Sequence, residues 1–180
     1  MAGNFGIKVK SNIKDVSRTL SRFQKRAIPK AIVSTLNQVA KETNTVAKKE
    51  LTKAMGFSAK NFKADLTIRK ANKNKLYSEV RAKNRAYNLS RFGAKQAKGG
   101  VKAKAWGVRK LYKGAFIPRP GGAVFAREGA SRFPIRALTG PRLGKEFQSE
   151  TVNGAMNRKV RERFTPLFNR NISFHVAKLK

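Results

Sequence analysis

Between Arg81 and Arg127 the chain carries thirteen lysines and arginines and no aspartate or glutamate. A row of cations unbroken by acid suits a polyanion, because ammonium and guanidinium groups neutralise phosphates and release their counterions. Tyr87, Phe92, Trp106 and Tyr112 are interleaved with these cations. Such rings either stack on bases or are the inward residues of short strands whose cations face water. No helix with base-reading polar residues accompanies them, so the expected contact is to backbone phosphates without sequence readout. The candidate DNA-binding residues are Arg81, Lys83, Arg85, Arg91, Lys95, Lys98, Lys102, Lys104, Arg109, Lys110 and Lys113.

Other chemistry is scarce. The sequence has no cysteine, so disulfides, zinc fingers and thiol catalysis are excluded. The lone His175, between Phe174 and Val176, cannot build a histidine metal site by itself. It reads as a histidine at the edge of a packed element. Glu42 and Glu50 are too far apart along one helix to share a proton. Glu146 and Glu150, four apart, suit the start of a helix, where acids complement the dipole. Nine carboxylates in 180 residues leave little for a two-metal nuclease. Gly99-Gly100 and Gly121-Gly122 match neither a P-loop nor a dinucleotide fingerprint. No catalytic residue, metal or cofactor is expected, and the chain does not read as an enzyme.

Forty-two lysines and arginines face nine acids, a net charge of +33. A protein so charged repels itself and binds polyanions unselectively. It is therefore expected to work against nucleic acid or among acidic neighbours. A ribosomal or other nonspecific RNA-binding protein is the alternative reading of the same charge. No run of 18 apolar residues is present, so no membrane-spanning helix is expected. The N-terminal Met-Ala-Gly-Asn-Phe-Gly lacks an apolar signal core, and the expected compartment is the cytoplasm of the producing cell.

The elements that must carry these residues follow from periodicity. Phe5 to Lys10 alternates apolar and basic residues, a weak strand signal. Ile13, Val16, Leu20, Phe23 and Ala27 step at helical spacing. Pro29 then suits the first turn of a second helix, over 29–55, with Gly56 just beyond its end. That helix carries the stripe Ile32, Leu36, Val39, Thr43, Ala47 and Leu51 and is about 40 Å long. Leu66–Lys70 and Leu76–Ala82 flank Asn72-Lys73-Asn74 as a hairpin. Residues 93–104 read as a basic, flexible segment, with short strands at 101–105, 108–112 and 123–126. From Leu143 the helical period returns, and Pro166 is expected to kink or interrupt it. Residues 167–180 fit strand or helix, and helix is favoured because the preceding element is helical. The expected fold is one α+β domain over 1–180, a long N-terminal helix pair packed on a small, mostly antiparallel sheet, with a C-terminal helix.

Residues 114–143 resemble a known family. Gly114-Ala115-Phe116-Ile117, Val124-Phe125-Ala126-Arg127, Arg132-Phe133-Pro134-Ile135 and Gly140-Pro141 are similar to the minor tail protein Z family of lambda-like phages and prophages, also called tail completion proteins. Ile28-Pro29-Lys30-Ala31, leading into Leu36-Asn37-Gln38-Val39-Ala40, resembles its N-terminal helix, and Arg161-Glu162-Arg163-Phe164 its basic C-terminal helix. The resemblance implies a structural virion protein at the head-proximal end of a tail, made in the host cytoplasm. It implies a ring, commonly of six subunits, around the DNA channel, with the tail terminator and other neck or tail-tube proteins as neighbours. It implies no enzymatic activity and no cofactor. Phe116, Ile117, Phe125, Arg127, Pro134 and Ile135 are the candidate interface residues, because apolar groups set among Pro and Gly suit a subunit contact.

Overall fold

The computed structural model describes residues 20–178. The strand signal at 5–10 and the start of the first expected helix lie outside these residues. From Leu20 the chain is already helical, and a π-helical turn, Phe23–Ala27, leads into α1, Ile28–Met55, without a break. The division expected at Pro29 is therefore absent. Pro29 falls in the first turn of α1, where its missing N–H costs no helical bond. Gly56, at φ 77°, ends the helix in the left-handed conformation and donates its N–H to the Thr52 carbonyl.

Two short 3-10 turns, Ala59–Asn61 and Lys63–Asp65, lead to the strands. These are β1 Leu66–Arg69, β2 Glu79–Ala82, β3 Ala86–Asn88, β4 Lys95–Ala97, β5 Gly100–Ala103, β6 Lys110–Lys113, β7 Ala115–Phe116, β8 Phe125–Arg127, β9 Ile135–Ala137 and β10 Thr139–Arg142. Among the described residues all pairings are antiparallel, but they form four small sheets rather than one: β1–β2, β3–β10, β4–β5–β6 and β7–β8–β9. The expected hairpin closes with Leu66 opposite Ala82 and Arg69 opposite Glu79. A short helix, α2 Leu143–Phe147, and a long one, α3 Glu150–Ala177, complete the α+β fold.

The segment 93–104, read from sequence as flexible, is largely the β4–β5 hairpin. Lysines conceal its pattern, since Gly100, Val101 and Ala103 are buried while Lys102 between them is exposed. Pro166 does not interrupt α3. It sits on an exposed turn of the helix, so the Glu162 carbonyl it leaves without a helical partner can face water. The C-terminal alternative resolves as helix, to Ala177.

The core lies at one end of the molecule. Leu51 and Met55 of α1, Val152 of α3 and Leu143 of α2 close on Val101, Val124 and an aromatic cluster. There Phe57 meets Phe62, Tyr87 and Phe92 edge-on or tilted, at centroid distances of 5.6, 5.3 and 4.6 Å. Beyond the core, α1 and α3 continue together as an antiparallel arm. Its contacts include polar rungs. Asn171 Nδ2 donates to Thr35 Oγ1 at 3.0 Å, a buried pair. Arg170 donates to Gln38 Oε1 at 2.8 Å, and Arg163 forks onto Glu42 at 2.7 and 3.2 Å. That hydrogen bond, outweighing partial burial, holds the Glu42 carboxyl below the usual carboxylate range.

Candidate polyanion-binding face

The β4–β5–β6 sheet brings three lysines of the basic stretch onto one surface. Lys95 lies opposite Lys102, Lys102 opposite Leu111, and Gly100 opposite Lys113. Directly opposed residues share a face, and so do residues two apart along a strand. Lys95, Lys102 and Lys113 therefore stand on one face around the exposed Leu111. The other face carries Val101 against Tyr112 and packs toward the core, and burial raises the Tyr112 hydroxyl above its ordinary pKa. Gly100 is required here, because a Cβ on it would overlap the Tyr112 carbonyl.

Two lysines directly opposite one another repel. None of the three has a carboxylate within 4 Å among the described residues. Lys98, in the β4–β5 turn, and Lys104, just after β5, extend the basic surface at the two ends of β5. Lys110 projects from the opposite side of β6 to Lys113, and Arg109 is exposed ahead of that strand.

The remaining candidates gather elsewhere, around a carboxylate. Asp65 is buried beneath Lys83 and Arg85, at 3.7 and 3.9 Å from its Oδ1, and Tyr87 donates its hydroxyl to Oδ2 at 2.7 Å. Burial, then that hydrogen bond, pushes the Tyr87 hydroxyl well above the usual phenol range. The Arg85 and Arg91 guanidiniums lie 6.0 and 5.4 Å from the Tyr87 ring centre, and Arg91 also donates to the Asn61 carbonyl. Arg81 is held by Glu79 at 2.8 Å. These four cations are partly compensated within the chain, unlike the sheet lysines. Asp65 was missed in the sequence because it stands sixteen residues ahead of the acid-free stretch it neutralises.

Base stacking on the interleaved rings is largely removed by their burial. Tyr87 and Phe92 are core residues and Tyr112 is half-buried. Only Trp106 presents about half of its surface, 49 %, and its indole N–H points at Glu146 Oε1, 3.3 Å away.

The candidate interface residues fall in and beside the β7–β8–β9 sheet. Phe116 faces Phe125 across the β7–β8 pair with ring centres 6.3 Å apart, and the exposed Arg127 guanidinium lies 5.3 Å from the Phe116 ring centre. Ile135 is opposite Arg127. Phe116, Ile117, Phe125 and Ile135 are half-buried, and Pro134 is exposed. Ile117 packs against the core, and its N–H bonds Gln96 Oε1 at 3.0 Å, tying this sheet to the lysine sheet.

Among the described residues, no cluster of His, Asp or Glu could hold a metal, and no helix is long and apolar enough to cross a membrane. No curated protein and no solved structure matches the chain. Residues 11–179 match the family of prophage minor tail protein Z. That match spans nearly the whole chain, from the long helix through the lysine sheet to α3. The chain belongs to the prophage minor tail protein Z family, structural components of phage tails.

Proposed function

We propose that this chain completes the head-proximal end of the tail and touches duplex DNA, without reading sequence, during head–tail joining. Lys95, Lys102 and Lys113 are the centre of that contact, with Lys98 and Lys104 beside them. The observation that carries the reading is two directly opposed lysines and a third on one acid-free sheet face. Such a face gains from an external polyanion and repels itself without one.

The assembly proposed is a ring, with six copies as the expected number, bounded by the tail terminator and by neck or tail-tube proteins. Phe116, Ile117, Phe125, Arg127, Pro134 and Ile135 are its proposed contact residues. Six copies at +33 each bring 198 positive charges. A ring about 40 Å tall encloses only about 24 phosphates of duplex DNA. Most of the surplus must therefore meet acidic neighbouring proteins or solvent, and only a small part of it DNA.

The test has two arms. Electron microscopy of the purified protein and of tails should show rings at the head-proximal end. Binding to two unrelated duplexes over a salt series should show equal affinities that fall steeply with salt. A flat salt dependence, or strong preference for one duplex, would overturn the DNA contact.

A further inference from the structure

A second surface lies at the outer edge of β2. Lys83 donates its N–H to the Asp65 carbonyl at 2.9 Å, one step beyond the Leu66–Ala82 pair. In an antiparallel ladder the bonded positions alternate. Arg81 and Glu79 therefore also bond toward β1, while Val80 and Ala82 turn N–H and C=O away from it. Among the described residues, no strand other than β1 pairs with β2, and none of those four groups has a backbone hydrogen-bond partner. No element among the described residues covers this edge. It opens into a groove of about 640 Å³ between Val80, Ala82 and Asn84 on one wall and Gly144, Phe147 and Gln148 of α2 and the turn after it on the other. Gly144 keeps α2 this close, since a Cβ on it would come within 3.0 Å of Asn84.

The rim of the groove is charged. Arg81, Arg142 and Lys145 line it against one acid, Glu79, which Arg81 already holds. Arg142 and Lys145 have no carboxylate within 4 Å among the described residues. We propose that this groove takes an extended, acidic segment of a partner protein, added as a third strand on the edge of β2. Main-chain bonds to Val80 and Ala82 supply the hold common to strand addition. Alternation in the added strand puts apolar side chains on the Val80–Ala82 side and carboxylates on the Arg81 side. A second copy of this chain is a poor occupant. It brings +33 of like charge, and its remaining strand-patterned segment, Phe5 to Lys10, is itself basic. The site needs no nucleic acid and stands apart from the DNA contact proposed above.

The experiment uses the full chain and three fluorescent peptides of alternating valine and glutamate, equal in length and charge. The first has a free backbone. The second is N-methylated on every second amide, and the third on the intervening amides. Anisotropy titrations should show that one methylated peptide binds about tenfold or more weakly than the parent while the other binds about as well, since only one set of amides faces β2. Arg142→Glu with Lys145→Glu should weaken the parent peptide by about tenfold or more. Equal binding of both methylated peptides would overturn strand addition and leave only diffuse charge attraction. Binding indifferent to Arg142→Glu and Lys145→Glu would overturn the choice of groove. A dimer in sedimentation that the parent peptide does not dissociate, with the peptide excluded, would replace the acidic partner by a second copy.

Discussion

Replacing Lys95, Lys102 and Lys113 together by glutamine tests the DNA face in a way that separates it from the rest of the charge. All three stand on one side of one sheet and are exposed, so no buried contact is lost. Opposed like charges are removed, so the thermal midpoint should hold or rise. If each lysine neutralises one phosphate, the slope of log affinity against log salt should shrink by about 0.9 per contact, or about 2.7 in all. Between 50 and 200 mM salt, a fourfold range, that difference amounts to roughly 40-fold in how much affinity is lost. The assay is anisotropy on a short duplex at four or five salt concentrations. The matched control is a triple change of Lys41, Lys48 and Arg158 on the helices, with the same change in net charge. If both triples lower the slope equally, the charge acts as a diffuse field and the sheet face has no special role.

Four further outcomes follow from particular contacts. Tyr87→Phe removes the hydroxyl that bonds buried Asp65, and should cost about 1.5–3 kcal/mol in urea unfolding; a cost below 0.5 kcal/mol would show that the bond is not formed. Thr43 Oγ1 is buried with no partner among the described residues, so Thr43→Val should be neutral or stabilise by about 1 kcal/mol, and a clear loss would reveal a partner. His175 has its pKa lowered, by burial first and then by Lys30 and Lys178, so its contribution to stability is full above the ordinary value near 6.5 and is lost as pH falls through the lower folded value. Unfolding free energy should therefore drop on acidification from pH 7 toward 5, and His175→Gln should flatten that drop. Phe116→Ala should cost about 1–2 kcal/mol, less than a fully buried phenylalanine, and leave the monomer folded while tail assembly fails; melting of the monomer would make Phe116 a core residue.

The helices were legible because their signals are local. Pro29, the stripe through Leu51, and Gly56 mark α1 within a residue of its ends, and the spacing from Leu143 onward marks α2 and α3. The lysine sheet was legible only in part. Val101 and Ala103 alternate with Lys102, but Lys95-Gln96-Ala97 carries no apolar period, since its partner is chosen by the hairpin and not by a buried face of its own. Two asparagines were not legible at all. Asn88 bonds both backbone groups of Val124, at 2.8 and 3.0 Å, and Asn37 does the same to Ala71, at 2.8 and 3.1 Å. Each stands in for a strand neighbour, and nothing in a turn-forming residue type announces a partner 34 or 36 residues away. The cations were found as a run, but which of them are free depended on Glu79, two residues before Arg81, and on Asp65, which only the fold brings beside Lys83 and Arg85.

The rungs of the arm also set a length. A plain apolar seam tolerates sliding, because one aliphatic contact replaces another. The Thr35–Asn171 rung does not, since the Asn171 amide is buried and meets Thr35 Oγ1 in one alignment only. Shifting α3 by one turn, about 5.4 Å, would leave the Asn171 amide buried without that acceptor, while Thr35 keeps its bond to the Ala31 carbonyl, and would break the fork between Arg163 and Glu42. The arm is thus a ruler with a fixed zero: the distance from the core to its tip is set by polar matching and does not creep with load or temperature until the rungs themselves give way.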